Sequence, residues 1–218
     1  MNWLSRWMRR PTFEIDPVRW VVLDVETTGL DVREDELLAI AAIAIRFDDT
    51  TGAPRIELAD SFEAVLQYDA RVTDKDNILL HGIGVGAQRA GAPPAVVLAA
   101  FERWIGRAPL LAYHAVFDQA MIGRAFERAF ARALANPWLD IAPVAAALYP
   151  EQRLQALDEW LEHFAIDCLA RHEAAADTLA TAELLLRLWP RARAQRCASF
   201  AGLAKLARHR RWLSGSSS

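Results

Sequence analysis

VVLDVETTGL, residues 21–30, begins as a buried strand and ends in a cluster of charge. Val21, Val22 and Leu23 lead into Asp24 and Glu26, and Thr27, Thr28 and Gly29 follow at once. Side chains alternate faces along a strand, so residues two apart point the same way. Asp24 and Glu26 therefore face one spot. Two carboxylates at the end of an apolar strand repel, and burial raises the cost of each ionised form unless positive charge stands between them.

The chain has 218 residues, 53% of them hydrophobic, which suits one large domain or a domain plus an extension. Its net charge of −3 is uneven. Arg187, Arg191, Arg193, Arg196, Lys205, Arg208, Arg210 and Arg211 close the chain with no acid among them, and removing those eight charges leaves −11 on the first 186 residues. An acidic body with a basic end fits a metal-loaded site plus a hold on a polyanion, and it also fits a solvated terminal helix. Cys168 and Cys197 stand in no zinc-type spacing and form no disulfide framework, so a reducing cytoplasm is expected. MNWLSRWMRRP at the start lacks the apolar core of a signal peptide, and the longest apolar run, LLAIAAIAI at 37–45, is too short to span a bilayer.

Three strands are expected early, over Trp20–Val25, Leu37–Phe47 and Ile56–Gln67, with DDTTGAP between the last two marking an antiparallel hairpin. HGIGVGAQRAGAPP (81–94) reads as a loop whose double proline opens a helix over 95–105. LLAYH (110–114) reads as a fourth strand feeding the long helix FDQAMIGRAFERAFARAL. PWLDIAPV holds a short fifth strand, and helices follow over 154–164 and 173–189. The order β-β-β-α-β-α-β-α-α implies an α/β fold, a mixed five-stranded sheet with helices on its faces. Its site is expected where central strands end and helices begin. FAGLAKLARHRRWL (200–213) fits an amphipathic helix, suited to packing on the domain or to meeting a phosphate backbone.

Two further stretches gather ionisable groups. YHAVFD puts Asp118 where the fourth strand gives way to a helix, a position that also suits a helix cap. RHEAAADTLATAELLL puts His172 five residues before Asp177. Five helical residues advance about 140° net, so the two cannot share one helix face. His172 is therefore expected on the preceding loop and Asp177 on the helix.

The ordered set of DxE at 24–26, YHAVFD at 113–118 and HEAAADTLATAELL at 172–185 resembles the three motifs of the DnaQ-like (DEDDh) 3′-to-5′ exonucleases, over about residues 18–190. Similarity is nearest to the epsilon-like proofreading subunits of bacterial DNA polymerase III and their free-standing relatives. LLHGIG, with His81, looks like the family's HGI segment. One departure stands out: the second motif commonly reads HNAxFD, and Tyr113 and His114 occupy its first two positions here.

The resemblance implies an RNase H-like domain over 18–190, with extensions at 1–17 and 191–218. Asp24, Glu26, Asp118 and Asp177 would ligate two Mg²⁺ or Mn²⁺, hard cations that suit an all-oxygen set. His172 would be the general base. Thr27, Thr28, Leu30, His81, His114 and Phe117 would contact the substrate, a single-stranded 3′ end, with nucleoside 5′-monophosphate as product and DNA favoured. Association with a DNA polymerase is a further implied partner. The alternatives are an RNA-trimming exoribonuclease and, in another class, a non-catalytic nucleic-acid or polymerase-binding module.

Overall fold

The computed structural model describes residues 14–69, 82–168 and 173–215, with side chains through residue 209. The apolar runs become strands β1 (Arg19–Thr27), β2 (Leu37–Phe47), β3 (Pro54–Val65), β4 (Leu110–Ala112) and β5 (Trp138–Asp140). They form one sheet in the order β3-β2-β1-β4-β5. The β1–β2 and β2–β3 pairs are antiparallel, whereas β4 and β5 join in parallel. The sheet is mixed, as expected. β1 lies at its centre, so its end is flanked by elements from both halves of the chain.

Alternation along β1 feeds two cores. Trp20 and Val22 pack on one face with helices α4 (Ile141–Leu148), α6 (Ala174–Ala194) and α7 (Phe200–Gly215). Val21, Leu23 and Val25 pack on the other with α2 (Pro94–Ile105) and α3 (Val116–Phe130). Each large apolar side chain buried this way contributes about 1.5–3 kcal/mol before entropy is counted. On the first face Trp20 meets Phe47, Trp189 and Phe200 at ring separations of 4.5, 5.7 and 5.9 Å, which seats α6 and α7 on the sheet.

The structure differs from the sequence reading in several elements. A short helix, α1 (Val85–Ala90), interrupts the expected loop. β4 stops at Ala112 because the chain turns at His114, whose φ is 59°. Residues 141–148 form α4, where the sequence suggests only a strand segment. Pro143 falls in its first turn, where a missing N–H is tolerated. A fifth helix, α5 (Leu157–His163), starts three residues later than expected. α6 continues through Pro190 to Ala194, with Trp189 and Ala192 buried on either side of the proline.

Candidate active site

The even-numbered face of β1 carries Trp20 and Val22 into the core and then, still pointing the same way, Asp24 and Glu26. The β1–β2 ladder slips between Glu26 and Thr27, which ends the regular strand beside the acids. Glu26 is pushed up to about 8 by burial first and by the charge of Asp24 next, while a backbone N–H bond from Ala174 at the start of α6 partly opposes the rise. Asp118 is 3% exposed and is held well above the usual carboxylate range by burial, by Asp24 and by Asp140. The N–H of Val25 bonds it and lowers it in part. The field of Asp24 thus reaches both Glu26 and Asp118.

Asp177 enters from the opposite helix. It is 8% exposed in the first turn of α6. The next residue, Thr178, donates its hydroxyl to the carbonyl of Ala41 at 3.1 Å, and Ala41 is the ladder partner of Asp24. One hydrogen bond therefore sets this helix against the acid-bearing end of β1. The Cys168 thiol lies 3.8 Å from Asp177 Oδ1. Asp118 and Asp177 both occupy first turns, where the positive end of the helix dipole favours a carboxylate. Among the described residues no three acid, histidine or cysteine side chains stand at ligand spacing. The acids converge on the end of β1 without closing on one point. Their donors are carboxylate oxygens, the chemistry that suits a hard divalent cation.

The turn after β1 is built by its own hydroxyls. Thr27 Oγ1 donates to the Gly29 carbonyl at 2.6 Å. Thr28 Oγ1 donates to Asp35 Oδ1 at 2.8 Å and accepts the Glu36 N–H at 2.9 Å. The other Asp35 oxygen accepts the Asp31 N–H at 2.8 Å. This closed loop presents Leu30 at 86% exposure. His114 is exposed, and its ring meets that of Tyr113 at 4.7 Å. Phe117 is half-buried at the rim of the α2–α3 core. His172 and His81 lie outside the described residues.

Two residues matter here that sequence reasoning missed. Asp140 Oδ1 accepts the N–H groups of Ala142 and His114, both at 3.1 Å, so one carboxylate caps α4 and holds the turn that leads into Asp118. An Asp directly before an apolar run with a proline three residues on is a helix-start signal that points to it. Asp35 carries no such signal, because its partner Thr28 is seven residues away across an irregular turn.

Strand-borne and helix-borne carboxylates brought together across the centre of a β3-β2-β1-β4-β5 sheet define an RNase H-like nuclease domain. The chain belongs to the exonuclease family, whose model, RNase T, matches residues 21–185. The PolC-type DNA polymerase III of Bacillus subtilis is 33% identical over 171 residues, 78% of this chain and 11% of that protein. The chain thus spans about a tenth of the length of such relatives. E. coli exonuclease I in complex with a dT13 oligonucleotide has the same fold, with a TM-score of 0.66 at 21% identity over 82% of this chain and 42% of that one. A zinc-bound form of the exonuclease I–ssDNA complex superposes at a TM-score of 0.65, 21% identical over 83% and 44% of the two chains.

Proposed function

We propose that the domain is a metal-dependent 3′-to-5′ exonuclease that releases nucleoside 5′-monophosphates from single-stranded DNA ends. The observation that carries this reading is the gathering of acids from three distant stretches at one end of β1, where burial and the charge of Asp24 raise both Glu26 and Asp118. Groups shifted in this way, at a strand end that opens to solvent, mark a working site. Two Mg²⁺ or Mn²⁺ ions held by Asp24, Glu26, Asp118 and Asp177 would supply the charge that activates water and stabilises the leaving 3′ oxygen.

The chain's own residues do the rest. Asp24 acts through its charge on both Glu26 and Asp118, and with them and Asp177 would hold the ions. His172, next in sequence before the Glu173 cap of α6, takes the proton of the attacking water. Leu30, held out by the Thr27–Thr28 turn, wedges the terminal base, with His81, His114 and Phe117 around the sugar and phosphate. A DNA substrate is supported by the dT13-bound neighbour and by the polymerase relatives, which also support a role beside a DNA polymerase. That role belongs in the cytoplasm. Among the described residues no helix is long and apolar enough to cross a membrane.

The exposed His114, at the position where the HNAxFD motif has Asn, leaves the sugar contact open, so RNA is the second substrate to test. Matched DNA and RNA strands, blocked at either end and incubated with Mn²⁺ with and without chelator, decide the matter. Stepwise mononucleotide release from an open DNA 3′ end, abolished by chelator, is expected. No release from either polymer would overturn the function.

A further inference from the structure

Building on the exonuclease reading, we propose that the cleft between α3, β5 and α7 carries the single strand upstream of the bond to be cut, with Lys205 and Arg208 on its phosphate backbone. β1, β4 and β5 run parallel with Asp140 level with Ala112 and, by the same register, with Leu23, so Asp24, the 113–116 turn and Asp140 lie in a row along one end of the sheet, and the Thr27–Leu30 turn stands beyond the β1 end of that row. A strand whose last nucleotide sits at Leu30 and whose scissile phosphate lies over Asp24 and Asp118 continues along that row in one direction, towards β5 and α7.

A cleft of about 230 Å³ opens there, lined by Ala115, Val116, Gln119, Asp140, Ala207 and Arg208. Val116, two residues before Asp118, is 64% exposed and offers an apolar surface to a base. Asp140 forms the floor, 9% exposed, with Oδ1 taken up by two backbone N–H groups. Buried Leu203 and Ala207 fix the rotation of α7 and so set Arg208 at the rim, with Lys205 one turn before it, both exposed. Arg128, Arg132 and Arg191 are each held by a carboxylate, whereas among the described residues Lys205 and Arg208 form no ion pair. A cationic rim beside an apolar surface is the pairing that tracks a single strand without reading its sequence.

The test uses the full chain and the double variant Lys205→Gln/Arg208→Gln, which keeps both stems packed. Binding of a 5′-labelled thymidine oligonucleotide is followed by anisotropy in chelator across a salt series. Turnover with Mn²⁺ is measured on that oligonucleotide and on the p-nitrophenyl ester of thymidine 5′-monophosphate, which has no upstream phosphate. The slope of log K against log salt should shrink by about 1.4, about 0.7 for each contact removed. KM for the oligonucleotide should rise about tenfold, and ester hydrolysis should hold. An unchanged slope and KM overturn the proposal, as does a parallel loss on the ester, which would mean that α7 had come loose. If the wild type hydrolyses neither substrate, the exonuclease reading falls, and the salt slope, which needs no turnover, still decides the cleft.

Discussion

At the start of β1, Arg19 is 8% exposed and its guanidinium donates to both oxygens of Asp60 at 2.8 Å, while Arg46 reaches the same carboxylate at 2.9 Å. Trp104 covers the Arg19 guanidinium at 4.7 Å, and the Ile105 carbonyl accepts a further hydrogen bond at 3.2 Å. Asp60 is thereby drawn down to about 2, chiefly by the Arg19 hydrogen bond. At the other end of the same strand Glu26 is pushed up to about 8 by burial and by Asp24. One strand thus carries two solutions to the same cost. Where two guanidiniums meet a carboxylate its pKa falls, and where burial and a like charge act on one it rises, and the second end is the one proposed to hold cations.

The sharpest way to break this contrast is at the acid end. Asp24→Ala should extinguish mononucleotide release and, in the same sample, the rise in melting temperature that Mn²⁺ gives the wild type. Binding of a cation to the folded state alone raises stability by mass action, so the two losses should go together. Retention of either one removes Asp24 from the site. His172→Ala separates chemistry from cation binding: turnover should drop about 10²–10⁴-fold, the usual contribution of a general base, while the Mn²⁺ thermal shift stays. A near-normal rate would end that assignment.

The acid end was the more legible of the two. Asp24 and Glu26 stand out because two carboxylates close an otherwise apolar strand, and Asp118 and Asp177 because each begins a helix beside small or aromatic residues. The mixed sheet followed from strands in series and then in alternation. The Arg19–Asp60 pair was not legible, because its partners are 41 residues apart and meet through neither period nor motif. α4 was hidden for another reason. IAPVAAAL is apolar throughout and buried at Ile141, Val144, Ala145 and Leu148, so it shows no polar face to set a helical period. α1 was masked by the glycines at 82, 84, 86 and 91, which read as turn residues.

The Arg19–Asp60 end predicts a loss of stability in place of a loss of activity. Asp60→Ala leaves the Arg19 guanidinium buried against Trp104 without its carboxylate, and should cost about 2–3 kcal/mol, below the full buried-pair range because Asp60 sits at the rim. For a chain of this size that lowers the melting temperature by about 4–12 °C. Turnover per folded molecule should not change. The pH sign follows from the depressed value. Stability from this pair is complete above the ordinary 3.8 and is lost as pH falls through about 2. Acid unfolding of Asp60→Asn should lack that slope, and a wild-type slope in the variant would assign it to other carboxylates.

The smallest effect expected lies just past the acid end, in the turn that presents Leu30. A Cβ on Gly29 would come within 2.5 Å of Asp35 Oδ2 and 2.8 Å of its Cγ. Asp35 cannot swing aside freely, because it holds the Thr28 hydroxyl and the Asp31 N–H. Gly29→Ala should therefore cost those bonds, about 1 kcal/mol, and raise KM up to about tenfold while kcat stays near wild type, since Asp24 and Glu26 precede the ladder slip. If the clash acts through Asp35, the double variant Gly29→Ala/Asp35→Ala should be no worse than Asp35→Ala alone, the non-additivity of two changes that remove one interaction. Additive losses would mean that glycine serves the turn by another route. A fall in kcat would mean that the ladder slip does not insulate the acid pair, and that the Thr27–Leu30 turn and the two carboxylates of β1 move as one unit.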